Sequence, residues 1–252
     1  MQKPPLIAKI DLMLGCPCST ASRGEELLKV GYVSTSPQLQ PKIVSAAIFC
    51  GQSFSTLNEK IKKRYKGNFL REAKKASHNY SVSTFRPSDL AERIEEINKS
   101  LSVRCGGPMR PAYDRPADEL RVAYRNEPRC DCRNHWSVWW GVFASDNADG
   151  LVGYIQLKRY GELASYSTIL GHGARMGDGI MPFLHLEIIN RVLYENSKPW
   201  IDRFGDQLLG NDYYDGIKWL MYAGWHDGIG KGLNLWKRKA GFDPVMFFQK
   251  EV

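Results

Sequence analysis

The chain has 252 residues, of which 43% are hydrophobic, 12% are aromatic and 25% are charged, so it can bury a sizeable core. These proportions, with 13 Pro and 23 Gly, exclude a disordered or collagen-like chain. An excess of 35 Lys and Arg over 27 Asp and Glu gives a formal net charge of +8. That charge favours an anionic partner: nucleic acid, a phosphorylated cofactor or a membrane surface.

Apolar runs in the sequence stay well short of the roughly 20 residues that a membrane-spanning helix needs. Near the start, Lys9 and Asp11 interrupt the apolar stretch that a secretory signal requires. We therefore expect a cytoplasmic protein that has no membrane partner.

Six cysteines in a chain of this length are too few for a disulfide framework, so we expect reduced thiols. Cys130, Cys132 and His135 have a spacing like that of metal ligands. Zinc sites, however, normally use two well-separated ligand pairs. We therefore predict plain thiols, a structural histidine and no bound metal.

The sequence changes character near residue 55, and we divide the chain there. Residues 1–55 form an N-terminal extension with two candidate strands, at 6–14 and 42–50, and the sequence assigns this extension no role. Residues 56–252 form the main domain. The oligomeric state is left open, with a homodimer among the options.

Apolar residues recur at every fourth position from 57 to 73, which predicts an amphipathic helix that continues to residue 75. The opposite face of this helix is strongly basic. It carries Lys60, Lys62, Lys63, Arg64, Lys66, Arg71, Lys74 and Lys75. Such a face suits the backbone of DNA or tRNA, and an ordinary solvated helix face is the alternative.

Alternating apolar residues at 80–84 predict a short strand, and Ser88 is placed to cap a second helix over 88–101. The following residues, 103–131, are rich in Gly, Pro and Arg and predict a long ordered loop, with a short helix as an option. Loops of that length inside a compact domain are commonly functional.

Arg104, Arg110 and Tyr113 cluster within this loop, with Arg115 two residues further on. Arginines beside a tyrosine suit a phosphate, a carboxylate or a nucleobase. We predict that Arg104, Arg110 and Tyr113 bind the substrate, and a solvated loop with ordinary surface arginines is the alternative.

Three strand-like runs, at 136–144, 151–158 and 163–170, predict an antiparallel meander. A glycine-containing loop at 172–179 follows and opens a helix over 180–196. Glycines allow close approach of the backbone to a phosphate, and a helix N-terminus attracts an anion. The loop therefore predicts a phosphate site, although a simple turn has the same pattern. A strand at 219–225, a helix at 232–239 and a strand at 244–249 complete the chain.

This order of elements resembles the GNAT (GCN5-related N-acetyltransferase) superfamily over roughly 170 residues. Residues 174–179 look like the family's pyrophosphate loop, and residues 234–244 look like its closing helix and Gly-Phe strand start. The resemblance implies a mixed α+β fold with a mostly antiparallel sheet that is splayed at the strand before the glycine loop. It implies acetyl-CoA or another acyl-CoA as cofactor. It assigns cofactor binding to Ile169, Leu170, Arg175, Met176, Gly177, Asp178, Gly179, Asn234 and Lys237.

The chain departs from the family pattern at three positions. Ala174 replaces Gln or Arg at the first position of the loop, and Asp178 adds a negative charge there. Lys237 stands where many members have a tyrosine that acts as general acid. We therefore predict Tyr222 and His226 as substitute acids.

His172 follows the third strand of the meander, where an imidazole would remove a proton from the acceptor amine. A surface histidine is the alternative. His185, within the predicted long helix, is expected to be a core or helix-face residue.

The resemblance implies an N-acyltransferase in which the amine attacks the thioester directly. Two related readings involve nucleic acid: a FemABX-like enzyme that takes its aminoacyl group from charged tRNA, and a phage Mom-like enzyme that modifies DNA. A further alternative is a non-catalytic nucleic-acid-binding protein on the same scaffold.

Overall fold

The computed structural model describes residues 4–12, 22–36, 38–104, 107–126, 132–145, 150–190, 200–201, 207–209, 215–225 and 231–250. Within these ranges the helices are α1 (Ser22–Val30), α2 (Phe54–Lys63), α3 (Asn68–Ala76), α4 (Ala91–Lys99), α5 (Ala117–Arg125), α6 (Ile180–Ile189) and α7 (Lys231–Lys239). The strands are β1 (Leu6–Ile10), β2 (Val33–Ser34), β3 (Ser45–Phe49), β4 (Tyr80–Phe85), β5 (Val103–Arg104), β6 (Gly107–Pro108), β7 (His135–Ala144), β8 (Leu151–Tyr160), β9 (Leu163–Gly171), β10 (Trp200–Ile201), β11 (Gln207–Leu209), β12 (Trp219–Gly224) and β13 (Asp243–Gln249).

One large sheet organises the protein, with strand order β1-β13-β3-β12-β9-β8-β7-β4 and β2 paired to β13. Strands β4, β7, β8 and β9 are antiparallel neighbours, which confirms the predicted meander. The pair β9 and β12 is parallel, as are the pairs that β13 makes with β1 and β2. The sheet is therefore mixed and mostly antiparallel, as the sequence predicts.

The segment 1–55, to which the sequence assigns no role, contributes three strands to this sheet. Strand β3 lies between β12 and β13 and is antiparallel to both. Its residues 46–48 are fully buried, since helices or strands cover them on both faces.

Helices cover both faces of the sheet, and each buries its apolar stripe there. On one face, α2, α3 and α6 pack on the sheet through a core that includes Ile61, Phe69 and Leu184. On the other face, α4 and α5 pack through Ile94 and Leu120. Among the described helices, none is both long enough and apolar enough to cross a bilayer.

The predicted basic helix is wrong as a single element, because the chain breaks between α2 and α3. Tyr65, Lys66 and Gly67 have φ values of 50°, 56° and 69°, which no α-helix contains. The periodicity of the apolar residues does not record these left-handed positions. Lys60 and Arg64 then bind Asp243 at 2.5 and 2.6 Å, so these two cations hold α2 to the start of β13.

One further local prediction is corrected by the structure, and a second, which allowed a short helix, is made more detailed. Helix α4 begins at Ala91 without a side-chain cap, and Ser88 instead donates a hydrogen bond to Asp89. The predicted loop over 103–131 contains the hairpin of β5 and β6 and the helix α5 within its described part. An acidic first turn and Pro116 at the N-cap favour a helix at that point.

Candidate functional site

The parallel strands β9 and β12 pair over only three residues and then separate. Leu163, Ala164 and Ser165 pair with residues 219–221. Strand β9 then continues as far as Gly171 without pairing with β12. A β-bulge leaves Ser167 without a partner on β8. A bulge bends a strand away from its neighbour, so this irregularity helps to open the gap. The predicted splay is confirmed at the strand for which it was predicted.

Strand β12 is also irregular where it leaves β9. Its pairing with β3 shifts register between Met221 and Gly224, and Ala223 lies in the left-handed region with φ of 46°. A non-glycine residue in that region is strained, and such strain is commonly held at functional sites.

A cavity of about 240 Å³ lies in the gap between the two strands. Strand β9 contributes Tyr166, Ser167 and Ile169, and strand β12 contributes Tyr222 and Ala223. The remaining wall consists of Arg104, Pro108, Met109, Arg110, Tyr113 and Leu233. The cavity therefore brings together the predicted substrate-binding residues Arg104, Arg110 and Tyr113 with Ile169 and Tyr222.

Tyr166 and His185 form a buried pair beside the cavity, and sequence reasoning did not single out Tyr166. The side chain of His185 is fully buried, which lowers its pKa to about 4, so the imidazole is neutral near pH 7. Its Nε2 donates to the carbonyl oxygen of Ala240 at 3.0 Å. Its Nδ1 therefore accepts the hydroxyl hydrogen of Tyr166 at 2.9 Å. The pair fixes one wall of the cavity on α6.

Lys237 lies under Tyr222 rather than on the protein surface. Its side chain is buried, and its Nζ donates to the carbonyl oxygen of Gly224 at 2.6 Å. The same ammonium lies 4.8 Å from the centre of the Tyr222 ring, within reach of a cation–π interaction. Lys237 therefore links helix α7 to the irregular end of β12. Asn234, on the same helix, is buried as well.

The predicted phosphate loop forms a 3-10 turn over Gly173–Asp178. Asp178 accepts a hydrogen bond from the hydroxyl of Tyr80 at 2.7 Å, and an oxygen of its carboxylate lies 3.8 Å from Arg175. Burial and this hydrogen bond raise the pKa of Tyr80. The negative charge at Asp178 therefore ties the turn to β4 and is partly balanced by Arg175.

The two glycines of this turn have different surroundings. At Gly179, where φ is 80°, an added Cβ would lie 2.3 Å from the carbonyl oxygen of Glu72, so glycine is required for packing. At Gly177, an added Cβ would meet no described atom within 4 Å. Only Gly177 therefore leaves room for a ligand to approach the backbone. Met176, next to it, is 47% exposed.

The remaining predicted residues lie away from the cavity or outside the described residues. His172 begins the 3-10 turn: its Nδ1 accepts from the amide of Ala174 at 3.3 Å, and its Nε2 lies 3.9 Å from a carboxylate oxygen of Glu96. It is not among the residues that line the cavity. Leu170 is buried on the sheet face that α4 covers. His226 lies outside the described residues.

Cys132 and His135 pair with each other at the beginning of β7. The His135 Nε2 donates to the carbonyl oxygen of Leu12 at 2.8 Å, and its Nδ1 lies 3.7 Å from the sulfur of Cys132. Cys130 lies outside the described residues. Within the described part of the chain, no group of three His, Cys, Asp or Glu side chains is arranged to hold a metal ion.

No protein-family model and no curated protein sequence matches this chain. Among solved structures, a tandem GNAT protein from the clavulanic acid biosynthesis pathway, solved without AcCoA, is similar over 82% of this chain, with 14% identity and a TM-score of 0.40. FemX is similar over 89% of this chain, with 9% identity and a TM-score of 0.50. The matched regions are 52% of the first protein and 66% of FemX, so this chain is similar to only part of each.

The likeness to FemX and the separated parallel strands together define the class of fold. The chain has a GNAT-like fold, in which the gap between β9 and β12 is the characteristic opening of the sheet.

Proposed function

We propose that the protein is an N-acyltransferase that moves an acyl group from acyl-CoA, with acetyl-CoA the first choice, to an amine. The observation that supports this proposal most strongly is the cavity at the point where β9 and β12 separate. Backbone groups of unpaired parallel strands are free to bind an extended ligand. The cavity offers such strand edges together with polar side chains from a covering loop.

The donor would lie along β9, from the cavity to the 3-10 turn at Gly173–Asp178. Gly171 lies four positions after Ser167, a path of roughly 13 Å at 3.3 Å per residue. At the far end, Gly177 leaves the backbone accessible and Arg175 supplies a cation for the diphosphate. Ile169 supplies an apolar wall for the arm of the donor.

The chemistry requires an oxyanion site and a proton donor near the thioester. The amine nitrogen would attack the carbonyl carbon, and the carbon–sulfur bond would break as the thiolate leaves. The bulge at Ser167 interrupts the ladder next to the cavity, where a backbone N–H can stabilise the oxyanion. Tyr222 lines the cavity and would protonate the thiolate. Its position favours Tyr222 over His172 for contact with the reacting atoms.

Isothermal titration with acetyl-CoA tests this function. We expect binding to the wild type and a roughly tenfold weaker affinity for Arg175→Ala, since one charge-assisted contact to phosphate is lost. Arg115→Ala is the matched control, because this exposed arginine does not line the cavity. Absence of any binding to the wild type would overturn the proposal.

A second candidate function, in which nucleic acid carries the donor or is the acceptor, is favoured by the surface of α2 and α3. Lys63, Lys66, Lys74 and Lys75 are exposed there. The left-handed conformation at residue 65 leaves the ring of Tyr65 45% exposed, with the Nζ of Lys239 5.8 Å from its centre. Exposed cations around an aromatic ring suit a phosphate backbone with stacked bases.

The salt dependence of nucleic-acid binding tests this second candidate. Triple reversal of Lys63, Lys66 and Lys74 to Glu is expected to lower the slope of log K against log salt by about two to three. Reversal of exposed Lys9, Lys29 and Lys42 changes the net charge equally and serves as the control. Equal effects of the two triple variants would remove the candidate.

A further inference from the structure

Two arginines, Arg104 and Arg110, line the cavity. Arg104 ends β5 and is paired with Gly107 on β6. Arg110 precedes the 3-10 turn Pro111–Tyr113, and its carbonyl oxygen accepts from the amide of Tyr113 at 2.9 Å. Both arginines line the cavity with Tyr113. The backbone of the segment therefore sets where the two guanidinium groups can reach.

Carboxylates that would neutralise these arginines are missing from the described surroundings. The residues that line the cavity include no Asp or Glu. Within the described ranges, neither Arg104 nor Arg110 makes an ion pair or a side-chain hydrogen bond. By contrast, the half-buried Lys60 and Arg64 both bind Asp243. The protein therefore pairs cations where they stabilise the fold and leaves these two without a carboxylate beside a cavity.

Two like charges that line one cavity repel each other, and an anion between them relieves that repulsion. The planar guanidinium group binds carboxylate and phosphate with two parallel hydrogen bonds. The thioester end of acetyl-CoA carries no charge, and its phosphates would lie at the distant 3-10 turn. The anion that fits Arg104 and Arg110 therefore belongs to the other substrate.

The cavity of about 240 Å³ has room for the reacting part of that substrate. A small amine, or the end of a larger one, fits this space together with the acyl group.

We propose that the acceptor is an amine that also carries a carboxylate or phosphate group, which Arg104 and Arg110 bind. This inference rests on the proposed acyltransferase function. The anion anchors the acceptor while its amine nitrogen forms a bond to the acyl carbon. The carbon–sulfur bond breaks, the sulfur leaves with the electron pair, and the proton lost by the nitrogen ends on the thiolate. The products are an anionic amide and free CoA.

The test compares three amines with acetyl-CoA as donor: β-alanine, O-phosphoethanolamine and ethanolamine. Release of the CoA thiol is measured at matched ionic strength. The concentration of each amine is expressed as that of its neutral form. We expect β-alanine or O-phosphoethanolamine to give a kcat/KM at least tenfold above that of ethanolamine, and the better of the two identifies the anion. In Arg104→Gln, the kcat/KM for the preferred anionic amine should fall roughly ten- to hundredfold, as loss of a charged hydrogen-bond pair implies. Arg115→Gln should keep the preference.

A binding measurement keeps the inference separate from the proposed function. The same three amines are added to the protein, and the shift in Tm is recorded for the wild type and for Arg104→Gln. A shift with an anionic amine that Arg104→Gln lacks would support the inference even if acetyl-CoA does not bind. Two results would overturn the inference while the proposed function stands, provided that acetyl-CoA binds. In the first, all three amines react and stabilise the protein equally. In the second, no amine reacts and no amine stabilises the protein.

Discussion

The two ends of the β9 and β12 pair differ in how their charges are arranged. The closed end is the one where β9 and β12 are paired, and the open end is the one where they separate. At the closed end, the buried carboxylate of Glu162 accepts from Lys218 at 2.5 Å, from Lys250 at 2.8 Å and from the amide of Asp11 at 2.9 Å. At the open end, Arg104 and Arg110 line a cavity whose described lining residues include no carboxylate. The closed end carries its counter-ions within the fold, and the open end leaves room for a ligand to supply one.

The difference has a physical cause. A buried carboxylate is costly unless hydrogen bonds and opposite charges surround it, and Glu162 has both. Its bonds link β1, β9, β12 and β13 where the strands are paired. Under the proposed function, binding energy at the open end is available for a substrate, because no described carboxylate competes for the arginines.

The largest expected effect concerns the turn that follows β9 at the open end. Gly179→Ala places a Cβ against the backbone of Glu72 in a left-handed conformation, and should lower the free energy of unfolding by about 3–4 kcal/mol. Gly177→Ala, where the space is open, should change it by less than about 0.5 kcal/mol. Urea unfolding of both variants measures the difference. Equal losses would contradict the distinct surroundings of the two glycines.

A pH effect of similar size is expected from the wall of the open end. Burial lowers the pKa of His185 from 6.5 to about 4. Between pH 6.5 and pH 4, the imidazole is therefore protonated in the unfolded chain and neutral in the folded protein. Stability should therefore fall by about 3 kcal/mol as the pH drops from 6.5 to 4. His78→Gln, at an exposed site, should keep this slope, and His185→Gln should lose it.

An NMR titration of the wild type gives an independent reading of the same group. The imidazole of His185 should show no protonation above about pH 5. A midpoint near 6.5 would contradict the buried position of the ring.

The closed end is expected to show a smaller effect in a lower pH range. Burial acts to raise the pKa of Glu162, but its bonds with Lys218, Lys250 and Asp11 outweigh burial and lower the pKa below 4.5. Glu162→Gln should therefore cost about 2–3 kcal/mol at pH 7. The difference from the wild type should shrink below pH 4.5, because the carboxylate stability is lost as the pH falls through the folded pKa.

Glu25→Gln serves as the control for the closed end. Glu25 makes an exposed ion pair with Lys29 on α1, and such pairs contribute little. Urea unfolding at pH 7 should show a change of less than about 0.5 kcal/mol. A loss as large as that of Glu162→Gln would show that the buried cluster has no special role.

The sequence predicts the regular parts of the fold because periodicity records which face is buried. The meander and the strand that begins at Tyr80 follow from alternation, and the opening after Ser165 follows from the family resemblance. The break at Tyr65 was missed because left-handed backbone in a non-glycine residue has no periodic signal. The insertion of β3 between β12 and β13 depends on long-range pairing that local patterns do not encode.

The structure brings predicted site residues together where their chemistry was distinctive, and their role in binding stays a prediction. Arg104, Arg110 and Tyr113 stand out as an arginine and tyrosine cluster, and the structure places them on the cavity. Tyr166 was missed because a tyrosine in a strand is not distinctive in sequence. Its partner His185 lies on a separate helix, α6. The available signal was a histidine in a mostly apolar helix.

Hydrogen exchange of β9 with and without acetyl-CoA tests the central claim most directly. Residues 163–165, which pair with β12, should exchange slowly in both states. Residues 166–171 should become at least tenfold more protected when acetyl-CoA is added, because the donor takes the place of the missing strand. If saturating acetyl-CoA leaves residues 166–171 unchanged, or protects a different part of the chain instead, the gap between β9 and β12 is not the acyl-transfer site.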